Sequence, residues 1–390
     1  DKAQRSTYAF MPLVTQQIPG LEALYAENPS EALARIVAGY DDHHERKNRL
    51  LDYLLALYGE SFSQHSLRLF NYYSNPQEVE DRIIDNKIDY LRAVVELGRD
   101  RGAAGNYAGA SWNERALSGL QRRVAMLLGF KQQTARSLVM GLLREGLNLA
   151  LHETYEQVKA GSPELRLMDM DATGSFDEAA ASVVRLCETD KDLSLSELRE
   201  QIGDCIPVKS NLLSDLLLRE GIDIGRYRLL CASAHEECQL CFRLAKDQYW
   251  YLGSYADQAS GIRAANALRL LLIHMNMASE GLHLLEHILL RPLGSGSHEA
   301  LKLPPREDFY AFRISVIFPA WSARCHDPQF RMLAEETLRL NTPSHIHVEF
   351  YWLEFDAMCA FEELYEKWLG FKSKTPVDEV EALDELSCNL

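Results

Sequence analysis

The C-terminal third of the chain alternates between strand-like and helix-like hydrophobic patterns. Apolar and polar positions alternate over Phe312–Pro319 and again over His345–Trp352, as in strands that bury one face. Between these runs, Asp327-Pro328 is an N-cap and N1 pair that predicts the start of a helix. Asp356 begins a further helix with apolar residues three and four positions apart. This order predicts a βαβα unit in which helices cover one face of a sheet.

Strand patterns also occupy the preceding region. Three short runs predict an antiparallel meander over Arg226–Ala232, Cys238–Ala245 and Tyr249–Tyr255. An amphipathic helix is predicted over Gly261–Met277, and the apolar run Gly281–Pro292 after it predicts one more strand, buried on both faces.

Residues 1–160 instead show helical spacing. The clearest helix begins at Pro76 and runs toward Arg99. A short helix is predicted around Leu117–Leu128 and a longer one over Lys131–Lys159. Further along, Ser194 and Glu197 form a capping-box match that predicts a short helix ending near Ile202.

Together these patterns predict an α+β chain with a mainly helical N-terminal half, an antiparallel β meander and a C-terminal βαβα module. The predicted divisions are a helical, bundle-forming region over 1–160, a small helical or mixed region over 161–225, an α+β meander domain over 226–300, the βαβα domain over 301–370, and an acidic tail over 371–390 that we expect to be mobile.

Composition narrows the function classes. The chain has 390 residues with 57 acidic and 41 basic side chains, and its net charge of −16 repels phosphate backbones, so nucleic acid is not an expected partner. No apolar run is as long as a membrane span. Eight cysteines without regular spacing are typical of a reducing compartment. The chain begins with Asp1, and we expect it to be part of a longer protein.

One candidate catalytic motif lies in Gly281–Pro292. There His283, Glu286 and His287 match HxxEH, the inverted zinc-protease signature. Imidazoles four residues apart share one metal ion only on a helix, because a strand would separate them by roughly 13 Å. The short segment lies between helix-breaking residues, which favours the strand and structural histidines. The alternative is a zinc-dependent hydrolase with His283 and His287 as ligands and Glu286 as general base.

A second cluster contains Cys231, His235, Cys238 and Cys241, four candidate zinc ligands within eleven residues. In a strand, Cys238 and Cys241 point to opposite faces, and Cys238 aligns with apolar residues as a core cysteine does. Buried and surface thiols are therefore expected. A zinc-stabilised interaction module is the alternative, and whether these residues bind zinc stays open.

The remaining candidate residues do not indicate a catalytic or metal-binding site. His345 and His347 would share one strand face, where exposed imidazoles are expected. Trp321, Arg324 and Trp352 are expected to be packing or interface anchors. Because no GxSxG, P-loop or Rossmann motif occurs, we predict no enzyme and assign no catalytic, cofactor-binding or metal-binding residue.

Three segments, Leu117–Phe130, Gly281–Pro292 and Phe312–Leu353, together resemble the large baseplate-wedge protein of extracellular contractile injection systems. These systems are phage-tail-like particles with which bacteria deliver toxins. The segment Leu51–Ser63 resembles the same family. The likeness extends over most of the chain and is most specific between Gly281 and Leu353.

The resemblance implies a non-enzymatic scaffold. One copy of such a protein joins two copies of a smaller baseplate-wedge protein, and six of these heterotrimers surround a central hub and spike. The contractile sheath starts on the resulting ring. The implied partners are therefore the smaller wedge protein and the other baseplate, hub, spike and sheath-initiating subunits. The implied location is the baseplate of a particle assembled in the cytoplasm and either released or membrane-anchored. The family supplies no catalytic residue and no cofactor.

Overall fold

The chain divides into two compact units. The first contains the described residues 43–60 and 80–91, and the second contains residues 76–79 and those from Arg92 onward. The computed structural model describes residues 43–60, 76–105, 117–130, 135–150, 155, 157–158, 166–169, 193–231, 237–245, 248–292, 307–374 and 380–390. The prediction of helices before residue 43 lies outside these ranges.

The described part of the first unit contains helix α1 (His43–Leu57) and the 80–91 part of helix α2 (Pro76–Arg99). The helix predicted from Pro76 toward Arg99 is confirmed. Both helices bury aliphatic side chains, and Lys87 is completely buried among them. Its ammonium group lies 2.7 Å from a carboxylate oxygen of Asp52 and 3.2 Å from the amide oxygen of Asn48. These contacts offset the desolvation of a buried charge.

The second unit combines helices and strands, which confirms the α+β class. Its helices are α3 (Gly119–Leu127), α4 (Met140–Arg144), α5 (Leu195–Ile202), α6 (Ile206–Lys209), α7 (Asp215–Glu220), α8 (Gln258–Ser279), α9 (Glu307–Tyr310), α10 (Ala323–His326), α11 (Pro328–Asn341), α12 (Phe355–Lys374) and α13 (Val380–Asn389). Its strands are β1 (Asn148–Ala150), β2 (Gln157–Val158), β3 (Arg166–Asp169), β4 (Leu212–Ser214), β5 (Tyr227–Cys231), β6 (Cys238–Ala245), β7 (Gln248–Tyr255), β8 (His283–Glu286), β9 (Arg313–Pro319) and β10 (His347–Leu353).

The predicted meander is confirmed as the centre of a five-stranded antiparallel sheet with strand order β2-β7-β6-β5-β3. Helix α8 packs on this sheet, with Gly261 so close to β5 that an added Cβ would lie 2.8 Å from Leu229. The capping box of Ser194 and Glu197 is also confirmed at the start of α5.

The long helix predicted over Lys131–Lys159 is wrong. The chain there forms the short helix α4 and then β1, which pairs in parallel with β4, and β2, which joins the five-stranded sheet. The hydroxyl of Tyr155 donates to the Leu212 carbonyl and accepts from the Ser214 amide, both at 2.9 Å. Pairing with distant strands therefore overrides a local helical pattern.

The βαβα order is confirmed in a second, three-stranded sheet with order β10-β9-β8. Strands β9 and β10 are parallel from Arg313 opposite His347 to Pro319 opposite Leu353, with α10 and α11 between them. Strand β8 adds antiparallel to the other side of β9. Because β8 comes from the predicted meander region, one sheet combines strands from both predicted C-terminal domains.

The last part of the acidic tail is helical and packed, whereas the sequence predicted a mobile segment. Residues Val380–Asn389 form α13, which packs on α12 and buries Leu383. The indole nitrogen of Trp368 donates to the Ser387 hydroxyl over 2.9 Å. Leu383 and Ser387 lie four positions apart, so one face of the acidic helix is suited to packing.

Candidate functional site

The three segments that carry the resemblance converge on one hydrophobic core, which we call the three-segment cluster. Helix α3 and the residues after it contribute from the first segment, β8 and the residue before it from the second, and β9, α10 and α11 from the third. The buried members are Val124, Ala125, Leu128, Phe130, Leu282, Leu284, Ile314, Val316, Phe318, Cys325, Phe330, Ala334 and Leu338. Segments far apart in sequence thus build one packed structure.

Two buried polar side chains of α3 donate hydrogen bonds to the other two segments. Gln121 donates from its side-chain nitrogen to the Leu282 carbonyl oxygen over 2.7 Å. Arg123 donates to the side-chain oxygen of Asn341, also over 2.7 Å. Because both α3 residues are buried, these hydrogen bonds satisfy groups that water cannot reach.

A buried ion pair joins the end of α8 to α10. Arg324 is 7 % exposed and Glu280 4 %. The guanidinium contacts both carboxylate oxygens of Glu280, with the Nε contact at 3.2 Å, and also donates to the Leu128 carbonyl at 3.0 Å. The rings of Phe130 and Phe330 each have their centroid 4.9 Å from the guanidinium carbon. Arg324, expected to be a packing or interface anchor, is therefore a packing anchor in this chain.

The HxxEH segment does not form a helix. The predicted strand is confirmed over His283–Glu286, but it is wrong over His287–Leu290, where the chain forms a 3-10 helix. Alternation along β8 puts Glu286 on the opposite face from His283. The one-faced helical arrangement that a zinc hydrolase would need is therefore not formed.

His283 is part of a buried polar contact between β8 and α12. Its Nε2 lies 2.8 Å from Oε1 of Glu362, and neither side chain is more than 5 % exposed. Glu362 also accepts hydrogen bonds from the Leu138 amide (2.6 Å) and from the Ser137 hydroxyl. Sequence reasoning missed Glu362, because it lies 79 residues from His283 and no local motif marks it.

His287 lies between β9 and α9. Its Nε2 is 2.7 Å from Oγ of Ser315, and its Nδ1 is 3.0 Å from the Phe309 carbonyl oxygen. A carbonyl only accepts, so Nδ1 carries the proton and Nε2 accepts from the Ser315 hydroxyl. Burial lowers the pKa of His287 below its ordinary value, which favours this neutral imidazole. Burial likewise raises the pKa of Glu286.

The cysteine cluster is incompatible with a four-ligand zinc module. Cys238 is buried in the core, as expected, but it is disulfide-bonded, so the expectation of free thiols is wrong there. The backbone of Cys231 lies directly opposite Cys238 in the antiparallel ladder. Cys241 is a free thiol in a separate buried cluster, where burial raises its pKa to about 12. His235 lies outside the described residues.

The remaining candidates occupy the surface or the core. His345 and His347 are exposed, as expected, but β10 begins at His347, so the prediction that both share a strand face is wrong. His347 lies 3.7 Å from Glu349. Trp321 is completely buried and Trp352 is partly buried against the three-segment cluster, which makes both of them packing residues.

Within the described ranges, no group of three or more His, Cys, Asp or Glu side chains is arranged to hold a metal ion. No helix described there has both the length and the hydropathy to cross a membrane.

A scan against protein-family models finds no match to the chain, and no curated protein matches it. The resemblance to baseplate-wedge proteins therefore rests on the three segments and on the residues within them.

Proposed function

We propose that this chain is a structural baseplate subunit of a contractile injection system that acts through contacts with other proteins. The observation that carries the proposal is the three-segment cluster. Leu117–Phe130, Gly281–Pro292 and Phe312–Leu353 supply its buried residues. Sequence likeness in separate segments is more informative when those segments form one core, since they then describe one structural module.

A surface of the first unit also supports the proposal. Leu50, Tyr53 and Leu57 lie on α1 at positions i, i+3 and i+7, and are 57 %, 64 % and 65 % exposed. Neighbouring Tyr58 is 57 % exposed. A contiguous apolar helix face of this kind is typical of a surface that another protein covers.

The decisive experiment is native mass spectrometry of the full-length protein, co-expressed with the products of the neighbouring genes. We expect a metal-free complex containing one copy of this protein and two copies of a smaller partner. A free monomer in the presence of every neighbouring product would contradict the proposal. So would a stoichiometrically bound zinc ion, because the proposed subunit role requires no metal.

A variant pair shows whether α1 contributes to that complex. We expect Leu57→Asp to reduce the yield of the complex at least tenfold, because burial of an unpaired carboxylate at an interface is costly. The matched control is Leu340→Asp, in which an isolated leucine that is 78 % exposed on α11 receives the same charge. Equal yields from the two folded variants would exclude the α1 face as the contact, while leaving the stoichiometry test of the subunit role intact.

A further inference from the structure

A cavity of about 310 Å³ lies next to the three-stranded sheet, on the side where α9 and α13 pack. Most of its wall is apolar and includes Leu285, Leu290, Ile317, Leu353 and Phe361. Cavities of this size and composition are typical of sites for small, mainly apolar ligands.

The polar groups of the cavity are concentrated around one serine. His287 and Ser315 both line the wall, and the 2.7 Å contact between Nε2 and Oγ is within the range for a nucleophile and its general base. The Phe309 carbonyl, 3.0 Å from Nδ1, holds the imidazole in the tautomer whose free nitrogen faces the serine. His287 is 3 % exposed and Ser315 7 %, so the pair is largely screened from bulk water.

We propose that Ser315 and His287 form a nucleophile–base pair that hydrolyses small carboxylic esters whose acyl group occupies this cavity. Nothing in the subunit role requires such an activity, so the two proposals stand independently. The apolar wall selects the acyl group, and the Ser315–His287 contact places the reactive oxygen at its edge.

The proposed ester hydrolysis uses water as its second substrate. Oγ of Ser315 attacks the carbonyl carbon while its proton moves to Nε2 of His287. The tetrahedral intermediate collapses, the alcohol leaves with that proton, and an acyl-serine remains. Water then gives a proton to Nε2 and attacks the acyl carbon. Collapse of the second intermediate returns the proton to Oγ and releases the carboxylic acid.

Two neighbouring groups suit the charges that develop during this reaction. Burial, Arg313 and His347 disfavour the imidazolium that forms on His287, whereas the Phe309 carbonyl and the nearby carboxylate of Glu349 favour it. The hydroxyl of Tyr351, which also lines the cavity, donates to Glu349 over 3.1 Å and so holds that carboxylate in place.

The test is covalent labelling of the full-length protein with a fluorophosphonate that carries a short alkyl chain. We expect one adduct, located on Ser315 by peptide mapping. His287→Gln, which keeps a hydrogen-bonding side chain but removes the base, is expected to slow labelling at least about 100-fold. Ser387→Ala is the matched control. Ser387 lines the same cavity, but its hydroxyl donates to the Leu383 carbonyl and accepts from Trp368.

Each outcome is decisive. Labelling of Ser315 that persists in Ser387→Ala and is lost in folded His287→Gln supports the proposal. It is overturned if the folded wild-type protein stays unlabelled under conditions that fully label a known serine hydrolase. It is also overturned if the adduct maps to another residue, or if His287→Gln reacts at the wild-type rate. Peptide mapping of the wild type does not depend on the folding of any variant.

Discussion

Replacement of Glu280 by glutamine tests how strongly the buried ion pair stabilises the second unit. The substitution keeps the shape of the side chain but leaves the guanidinium of Arg324 without its countercharge. Both residues are nearly inaccessible to water, at 4 % and 7 % exposure. Removal of one partner of such a pair typically costs about 3–5 kcal/mol, because the remaining charge stays buried. Since domains are commonly stable by only about 5–15 kcal/mol, this is a large fraction of the total.

The assay is urea unfolding of the full-length protein, followed by tryptophan fluorescence. Trp321 is completely buried and follows the end of β9 by two residues, so its emission reports on this unit. Glu363→Gln is the matched control, because Glu363 pairs with Lys367 at 2.7 Å but is 71 % exposed. The control is expected to leave the urea midpoint close to the wild-type value, because water screens an exposed ion pair. Equal destabilisation by the two substitutions would refute the reasoning.

A double variant separates the pair from the packing around it. Glu280→Leu combined with Arg324→Leu removes both charges and leaves no unpaired ion, so we expect it to be more stable than either single variant. If the loss of unfolding free energy in the double variant equals the sum of the losses in the two single variants, then the carboxylate and the guanidinium do not stabilise each other, contrary to what the contacts indicate.

Three further predictions concern packing and protonation. Gly119→Ala should lower the free energy of unfolding in urea by about 1–3 kcal/mol, because the added Cβ would lie 1.8 Å from a backbone oxygen. Gly98→Ala, at a position of α2 with open space around it, should not destabilise the protein. Leu383→Ala should lower the free energy of unfolding by about 2–5 kcal/mol and speed amide hydrogen exchange in α13, because Leu383 is buried. Glu385→Ala, at an exposed position of the same helix, should change neither. Equal exchange rates in the two variants would contradict the packing of α13. Burial lowers the pKa of His287, so its contribution to stability is complete above the ordinary value of about 6.5 and is lost as pH falls toward the folded-state pKa. His287→Gln should therefore flatten the acid side of a stability–pH profile, and an unchanged slope would refute this.

The sequence predicted elements wherever local chemistry determines them. Pro76 begins α2 and Asp327 caps α11, because a cap or a fixed backbone angle acts within one helical turn. The βαβα order followed from periodicity in the same way. The Lys131–Lys159 helix failed because its residues pair with strands that local spacing does not reveal.

The sequence by itself determined the α+β class, the meander and the order of the C-terminal elements, since hydrophobic periodicity is a local property. Only the tertiary structure decided which residues become partners. It brought Glu362 to His283, Ser315 to His287 and α13 onto α12, and it assembled three separate segments into one core. Such contacts depend on how distant segments pack, and no motif within a short window contains that information.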